Sequence, residues 1–147
     1  MLLITSLAAW STRSATPADI ASALALWRAA GGPASVTDTP AGLARLLARD
    51  EDGLLIAESG GLVVGSLIAV WDGWRGNFYR LAVGPERRRE GIATALLREG
   101  ERRLRRRGAV RLTAVVADDD STAMAFWHAA GYRLQDDRRR FVRELDA

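Results

Sequence analysis

The sequence of 147 residues contains no cysteine and no lysine, and it has a single histidine, His128. Without cysteine the chain can form neither disulfides nor thiolate nucleophiles nor cysteine-based metal sites. One histidine cannot build a metal site either, so we expect no bound metal. No apolar run approaches the roughly 20 residues that a membrane-spanning helix needs. Residues 1–4 have no basic flank and no cleavage site, so we expect no signal peptide, no membrane partner and a cytoplasmic location.

All 21 basic side chains are therefore arginine, against 18 carboxylates and a net charge of +3. The arginines form runs at residues 87–89, 102–103, 105–107 and 138–140. Such runs are compatible with RNA contact. Proteins that bind single strands also stack the bases on aromatic side chains, and no aromatic side chains interleave with these runs. We therefore favour solvated faces, one of which neutralises a phosphate, and do not expect nucleic acid as a partner.

Apolar periodicity and turn residues predict one domain over residues 1–147, with a loose extension at residues 1–7. Helix starts are marked by Thr16-Pro17 and Thr39-Pro40, where a capping residue precedes proline. Further helices are predicted to end near residue 107 and to cover residues 122–130. Strands are predicted at residues 8–13, 54–58, 62–70, 77–83 and 110–116, followed by a closing hairpin of 132–134 and 141–145. This order predicts an α+β sandwich around one mixed sheet.

The stretch from Leu81 to Leu97 carries the clearest chemical signal. An apolar strand end is followed by a break at Gly84-Pro85, an arginine-rich turn and a helix that opens with Gly91 and small residues. The first N–H groups of a helix have no intrahelical partner and lie at the positive end of its dipole, so they stabilise an anion. Glycine lets the backbone approach that anion closely. The pattern predicts a phosphate-binding cradle.

The cradle also carries a family resemblance. Its residues match the pattern V-x-P-x-x-[RQ]-x-x-G-x-[GA] at Val83, Pro85, Arg88, Gly91 and Ala93. This resembles the acetyl-CoA signature of the GNAT superfamily of N-acetyltransferases. The resemblance covers nearly the whole chain from about residue 8. It implies a GNAT-like α/β/α sandwich around one mixed, mostly antiparallel sheet, with acetyl-CoA as co-substrate.

A second stretch, residues 120–132, resembles the family signature N-x-x-A-x-x-F-Y-x-x-x-G-[FY]. The matches are Ala123, Phe126, Gly131 and Tyr132, while Asp120 replaces the asparagine and Trp127 the tyrosine. In the family that tyrosine often lies near the CoA sulfur and can return its proton, which an indole cannot do. We interpret Trp127 as a wall of the thioester pocket, with core packing as the alternative. His128 lies about 100° around the helix from Trp127, and we expect it at the surface.

The resemblance also indicates where a catalytic base would stand. Some members carry a glutamate six residues before the position of Val83; here that residue is Asn77, which cannot accept a proton at working pH. Strand alternation predicts that Asn77, Tyr79, Leu81 and Val83 share a face. Tyr79 is then the nearest titratable group, with an unperturbed pKa of about 10. Asp72, acting through water, is the rival.

The implied reaction is transfer of acetyl from acetyl-CoA to an amine of a small molecule or protein, by direct attack in a ternary complex. The Val83 backbone N–H would donate to the thioester carbonyl. The expected CoA-binding residues are Leu81, Ala82, Val83, Arg88, Arg89, Glu90, Gly91, Ile92, Ala93, Thr94, Asp120, Ala123, Phe126 and Trp127. The expected acceptor pocket, with an aromatic wall, consists of Trp71, Trp74, Asn77 and Tyr79.

Two alternatives stay open. Trp127 and Asn77 are compatible with a non-catalytic acyl-CoA-binding or regulatory domain. The arginine runs are compatible with an acetyltransferase that acts on a ribosome-associated protein. The sequence distinguishes neither the acceptor nor a monomer from a homodimer.

Overall fold

The computed structural model describes residues 9–145, which divide into two compact units, one ending at Ala114 and one beginning at Val115. The first unit contains, in chain order, β1 (Ser11–Ser14), a 3₁₀ turn (Pro17–Asp19), α1 (Ile20–Ala30), α2 (Pro40–Arg49), β2 (Leu54–Ser59), β3 (Leu62–Trp71), β4 (Gly76–Val83), a second 3₁₀ turn (Pro85–Arg87), α3 (Ile92–Arg107) and β5 (Leu112–Ala114). The second unit contains α4 (Ser121–Ala129). The extension predicted for residues 1–7 lies outside the described residues, as does residue 8 of the first predicted strand.

The five strands form one sheet in the order β1-β2-β3-β4-β5. Neighbours from β1 to β4 are antiparallel, whereas β4 and β5 are parallel. The prediction of an α+β fold with one mixed, mostly antiparallel sheet is therefore confirmed.

Helices cover both faces of the sheet, and two adjacent residues of β3 show which helix covers which. The Trp27 side chain of α1 donates a hydrogen bond to Ser66. A Cβ added at Gly65 would come within 2.7 Å of the Ile92 side chain of α3. Because successive strand residues point to opposite faces, α1 and α3 lie on opposite sides. Leu43 and Leu47 place α2 in the core on the α1 side.

Both helix starts predicted from threonine and proline are present. The Thr39 hydroxyl accepts a hydrogen bond from the Gly42 N–H at 3.0 Å. At the first start, Thr16 and Asp19 form a capping box, and the chain makes a 3₁₀ turn before α1 begins at Ile20. The local signals therefore located these helices correctly, because capping satisfies N–H groups that the helix itself cannot.

The predicted closing hairpin of residues 132–134 and 141–145 is wrong, since no strand is assigned between residues 115 and 145. Its apolar side chains are exposed, with Phe141 at 96% and Leu145 at 83%. A short two-stranded hairpin without a covered apolar face is marginal in water. The strand predicted at 110–116 is also shorter, because β5 pairs with β4 over three residues only. Within residues 9–145 no helix is both long and apolar enough to cross a bilayer.

Candidate active site

The fourth strand contains a β-bulge in its middle. Ile68 pairs with Tyr79 and Ser66 pairs with Ala82, so two residues of β4 stand opposite one residue of β3. The first of the two, Arg80, has a φ of 53°. This is the left-handed region, which residues with a side chain seldom enter. Bulges of this kind are over-represented next to active sites, where they redirect the chain.

The bulge reverses the direction in which β4 presents its N–H groups. Before the bulge, the Gly76 N–H donates to the Arg111 carbonyl on the β5 side at 3.0 Å. After it, the Gly84 N–H donates to the Val64 carbonyl of β3 at 2.9 Å. In a regular strand these two groups, eight residues apart, would point the same way. Successive N–H groups of a strand point to opposite sides. Because the Gly84 N–H points to β3, the N–H of its neighbour Val83 points away from β3, towards the side on which β5 pairs.

The same bulge overturns the prediction that one face of the strand carries Asn77, Tyr79, Leu81 and Val83. Tyr79 pairs with Ile68, which packs against the core on the α1 side. Val83 pairs with Gly65, which contacts α3. Alternation depends on counting residues, and one extra residue shifts the count by one.

A hydrogen-bonded relay from α1 holds the bulge. Trp27 Nε1–H donates to Ser66 Oγ at 2.7 Å, and Ser66 Oγ donates to the Arg80 carbonyl at 2.9 Å. Ser66 is fully buried and Trp27 is 7% exposed. The Arg80 guanidinium pairs with Asp38, just before α2, and lies 5.4 Å from the centre of the Trp27 ring. Both the carbonyl and the side chain of the bulged residue are thereby fixed.

Beyond the bulge, one edge of β4 is unpaired within the first unit. Parallel pairing with β5 covers only residues 76–78 of β4 and 112–114 of β5. Across residues 9–114, no strand pairs on that side with residues 79–83. N–H and C=O groups that point to this edge are free to bind an extended ligand as an added strand would.

Residues 84–91, which include the 3₁₀ turn Pro85–Arg87, connect the open edge to the start of α3. Gly91 is the N-cap residue, with φ 83° and ψ 9°, and its carbonyl accepts the first helical bond from the Ala95 N–H at 3.0 Å. In the described part of the chain no side chain caps this helix. The N–H groups that remain for a ligand therefore belong to Ile92, Ala93 and Thr94.

The conformation of Gly91 and the space beside it fit a phosphate cradle. A positive φ of 83° favours glycine over any residue with a side chain. A Cβ added at Gly91 would meet no described atom within 4 Å. The backbone conformation therefore disfavours a side chain at Gly91, while the space beside it is open to a ligand. The cradle predicted from the sequence has the backbone geometry that an anion site needs.

The turn before the cradle carries more arginine than carboxylate side chains. Arg87 is 7% exposed and binds both carboxylate oxygens of Glu90, at 2.7 and 3.1 Å. This hydrogen bonding lowers the pKa of Glu90 and raises that of Arg87. Arg88 and Arg89 are exposed, and neither has an ion-pair partner among the described residues. The Glu90 carboxylate is neutralised by Arg87, and the exposed guanidinium groups of Arg88 and Arg89 add positive charge to this turn, which also contains the carboxylate of Glu86.

Asp72, one candidate base, and Asn77, which stands at the position of the family's glutamate, are joined in a structural network. The Asp72 carboxylate accepts hydrogen bonds from the backbone N–H groups of Arg75 and Trp74 at 2.6 and 2.8 Å. These bonds lower the pKa of Asp72. Asn77 donates to Asp72 at 3.2 Å and accepts from the Thr113 hydroxyl at 2.8 Å. The network fastens the β3–β4 turn to β5, and the lowered pKa makes Asp72 a weaker base than a free carboxylate.

The structure does not gather the aromatic residues predicted for the acceptor pocket. Tyr79 is 46% exposed on the α1 side of the sheet. Trp71 pairs with Gly76, whose position contacts α3 side chains on the opposite side. Trp74 is 70% exposed in the β3–β4 turn and stacks on Arg75 at 4.0 Å. Of the four residues predicted for the acceptor pocket, only Asn77 and Tyr79 lie on the same strand and on the same face of the sheet.

The second unit is organised by the C-terminus of α4. Asp120 caps the start of the helix by accepting from the Ala123 N–H at 3.0 Å. At the end of the helix, the Gly131 N–H donates to the backbone carbonyl of His128 and the Tyr132 N–H to that of Trp127. These two bonds form a Schellman motif. The rings of Trp127 and Tyr132 are 4.9 Å apart and nearly perpendicular, the apolar contact that completes this motif.

This packing gives Trp127 and its neighbours local roles. Phe126 contacts the Trp127 ring at 5.6 Å. His128 is exposed, as expected. The contribution of Asp120, Ala123, Phe126 and Trp127 to CoA binding, implied by the resemblance, stays a prediction.

Sequence reasoning missed the residues that shape the bulge: Trp27, Asp38, Ser66 and Arg80. One signal was available, since Gly65-Ser66 interrupts an otherwise apolar strand with a small and a polar residue. A buried hydroxyl requires a partner. The identity of that partner depends on the register between β3 and β4, which no local pattern contains.

Comparison with known proteins agrees with this geometry. The model of the acetyltransferase (GNAT) family matches residues 21–132. An acetyltransferase of Sodalis glossinidius is 33% identical over 118 residues, covering 80% of this chain and 83% of that protein. Among solved structures, Ard1 of Thermoplasma volcanium superposes with a TM-score of 0.78 at 20% identity, covering 86% and 84% of the two chains.

A further solved structure is the PaiA N-acetyltransferase of Thermoplasma acidophilum in complex with coenzyme A. It superposes with a TM-score of 0.77 at 17% identity and covers 87% of this chain and 92% of that one. At such identities the structures show a shared fold. The family match covers most of the chain, and the Sodalis relative is similar over most of its length. The chain therefore belongs to the GNAT family of acetyltransferases.

Proposed function

We propose that this chain transfers an acetyl group from acetyl-CoA to an amine by direct attack in a ternary complex. The observation that carries the proposal is the open edge of β4 beyond the bulge, which a short connection with one 3₁₀ turn joins to the uncapped start of α3. An extended chain that ends in a diphosphate fits such a path, since the strand edge offers peptide-like pairing and the helix start offers an anion site. That the PaiA structure holds coenzyme A supports the same assignment.

The cradle would hold the diphosphate. The N–H groups at the start of α3 provide donors, and Arg88 and Arg89 provide charge that no described carboxylate neutralises. Each charge-assisted hydrogen bond is roughly twice as strong as a neutral one. Glu90 would contribute its backbone only, because its carboxylate is bound to Arg87.

The edge of β4 would hold the pantetheine arm and orient the thioester. Leu81 and Val83 are the residues that would pair with its amides. The Val83 N–H, which the bulge directs away from β3, would donate to the thioester carbonyl as negative charge develops on its oxygen. Holding the amine and the thioester in line is the larger part of catalysis in such a reaction. Acetyl-CoA supplies an activated acyl group, so no covalent intermediate with the protein is required.

The proton of the attacking amine would leave to water and not to a strong enzyme base. Asn77 stands where some family members carry glutamate, and its carboxamide is engaged by Thr113 and Asp72. Asp72 holds the backbone of its own turn. Tyr79 is the remaining titratable group on the same face, and its hydroxyl has no hydrogen-bond partner among the described residues.

Calorimetric titration with CoA tests the binding step. Gly91→Glu adds a side chain and a negative charge at the start of α3, and we expect at least about a 30-fold loss of affinity, or about 2 kcal/mol. Gly73→Glu is the matched control. Gly73 also has a positive φ, of 92°, and open space around it, but it lies in the β3–β4 turn at the far end of β4. Equal affinities for two folded variants would contradict the cradle.

Turnover separates the enzyme from a CoA-binding domain. Release of free thiol from acetyl-CoA is followed with a panel of alkyl, aryl and peptide amines. We expect amine-dependent release in the wild type and none in Gly91→Glu. Tight CoA binding with no release for any amine of the panel would favour the non-catalytic alternative.

A further inference from the structure

The bulge of β4 depends on one buried hydroxyl. Ser66 Oγ lies between two groups, the indole N–H of Trp27 at 2.7 Å and the carbonyl of Arg80 at 2.9 Å. An indole N–H can only donate, so the hydroxyl accepts from Trp27 and must donate its own hydrogen to the Arg80 carbonyl. The relay therefore has a single direction, and it ends on the residue whose backbone is strained.

Arg80 needs this support because its conformation is unfavourable. Its φ of 53° lies in the left-handed region, which persists in a residue with a side chain only when the surroundings hold it there. The relay holds the carbonyl, while Asp38 and the Trp27 ring hold the guanidinium. Two of these contacts come from α1 or the segment before α2, far from β4 in sequence.

The bulge in turn determines the direction of the next N–H groups. Gly76 donates towards β5 and Gly84 towards β3, a reversal that requires one extra residue between them. If β4 were regular, the Val83 N–H would be directed into β3 and would be lost to a ligand at the open edge.

We propose that Ser66 and Trp27 are positioning residues for catalysis: their relay to the Arg80 carbonyl maintains the bulge that directs the Val83 N–H towards the thioester. This inference rests on the proposed function for the role of Val83. It assigns no contact between the relay and the ligand. The relay acts through the backbone of β4 only.

The decisive variant is Ser66→Ala, which removes the donor to Arg80 and the acceptor for Trp27. Ser66→Thr retains a hydroxyl and should restore the relay. Trp27→Phe keeps the bond from Ser66 to Arg80 and should have a smaller effect. Leu47→Ala is the matched control, because Leu47 is 7% exposed in the same core on α2 and takes no part in the relay.

The first readout is the infrared stretching frequency of the thioester carbonyl, measured with carbonyl-labelled acetyl-CoA bound to each protein. A donor aligned with the carbonyl lowers this frequency relative to free acetyl-CoA. We expect Ser66→Ala to lose about half or more of the wild-type shift, and Leu47→Ala and Ser66→Thr to keep it. CoA affinity by calorimetry should stay within about threefold in Leu47→Ala and Ser66→Thr. In Ser66→Ala it should fall less than in Gly91→Glu, because the pairing along β4 is weakened but the start of α3 is unchanged.

The second readout needs no ligand. Ala82 pairs with Ser66 immediately after the bulge. Hydrogen exchange at the Ala82 amide should accelerate at least about tenfold in Ser66→Ala relative to Leu47→Ala, since the local structure opens more readily. If Ser66→Ala is too unstable to be measured, Trp27→Phe is compared with the same control. Exchange at Ala82 should then accelerate by less than about tenfold but still exceed that of Leu47→Ala, and equal rates would overturn the relay.

Three results would count against these ideas, and they are distinguishable. An unchanged carbonyl frequency and unchanged exchange in folded Ser66→Ala would overturn the positioning role. Equal losses in Ser66→Ala and Leu47→Ala would do so too, since they would report general destabilisation. A wild-type protein that binds neither CoA nor acetyl-CoA would instead remove the proposed function, and exchange at Ala82 would still decide whether the relay holds the bulge.

Discussion

At the scale of single residues, most carboxylates near the proposed site are already committed to partners within the protein. Glu90 is bound by Arg87, Asp38 by Arg80, and Asp72 by the N–H groups of its own turn. Hydrogen bonding lowers the pKa of Glu90 and of Asp72, so each of these two is a poorer base than a free carboxylate. The groups left to act on a ligand are backbone N–H groups and exposed arginine, which suits binding and orientation more than proton transfer.

The first prediction at this scale concerns the dependence of rate on pH. An alkyl amine with a pKa near 10 is only about one part in a thousand neutral at pH 7. Without an enzyme base, the logarithm of kcat/KM should rise with unit slope through pH 7–9. Asp72→Asn should leave that slope unchanged, and Tyr79→Phe should alter the height of the line but not its form. A plateau beginning near pH 7, abolished in either variant, would reveal a base with a tuned pKa.

A second prediction concerns Trp127, whose ring contacts Phe126 and Tyr132 edge to face. We expect Trp127→Phe to retain an aromatic contact with Tyr132 and to keep turnover within about threefold. Trp127→Ala removes both aromatic pairs, each worth about 0.5–1.5 kcal/mol, and should increase hydrogen exchange across α4. Turnover in Trp127→Phe as low as in Gly91→Glu would show that the indole N–H has a role beyond packing.

At the scale of elements, the entry into α1 combines capping with a partly buried ion pair. Asp19 binds both terminal nitrogens of Arg13, at 2.8 and 3.0 Å, and accepts from the Thr16 N–H at 2.8 Å. Arg13 also pairs with Glu58 of β2. The side chain of Asp19 therefore joins β1, the 3₁₀ turn and the start of α1. Hydrogen bonding to Arg13 lowers the pKa of Asp19 to about 2.

This depressed pKa predicts how stability depends on pH. The folded state favours charged Asp19, so the stabilisation is present above the unfolded pKa of about 3.9 and is lost as the pH falls towards about 2. We expect Asp19→Asn to lower the free energy of unfolding by about 2 kcal/mol at pH 7, with the difference shrinking below pH 4. Urea unfolding from pH 7 to pH 3 measures it.

The matched control is Asp118→Asn, which removes the same charge at an exposed position. Its unfolding free energy should follow the wild type at every pH. If Asp19→Asn showed a constant difference from pH 7 to pH 3, the stabilisation would come from geometry and not from the charge of Asp19.

At the scale of the whole molecule, arginine is abundant but largely paired along α3. The ion pairs of this helix are Arg98–Glu101, Arg102–Glu99, Arg103–Glu99, Arg103–Asp52 and Arg107–Asp50. Several of them join residues one helical turn apart, and two join the helix to residues 50–52. The excess of positive charge is thereby dispersed and does not form one continuous basic face of this helix.

This distribution predicts weak and salt-sensitive contact with RNA. At about 0.15 M salt we expect no retention on single-stranded RNA. At low salt the slope of log affinity against log salt should correspond to fewer than about three phosphates, at about 0.7 per phosphate. Saturating CoA should reduce this binding, because Arg88 and Arg89 lie at the cradle. A steep slope that CoA leaves unchanged would favour a partner that contains RNA.

Features of the fold that depend on local chemistry could be read from the sequence alone. The threonine–proline helix starts and the turn from Gly84 to Gly91 appear where they were predicted. Each is determined by residues within a few positions, through capping, a positive φ or a missing N–H. The cradle belongs to this class, which is why the backbone geometry at Gly91 could be predicted from its motif.

The arrangement at β4 was decided only by tertiary structure. Alternation predicted one face for residues 77, 79, 81 and 83, but a single extra residue in β4 opposite β3 exchanged the faces of the residues that follow it. The position of this extra residue depends on the register around the bulge, which pairs residues 11 to 18 apart. The relay that holds it joins Trp27 to Ser66 across 39 residues. Short-range patterns specify which residues can form a strand or a turn. The free energy that selects one register comes from contacts between distant segments, and only the folded chain brings those segments together.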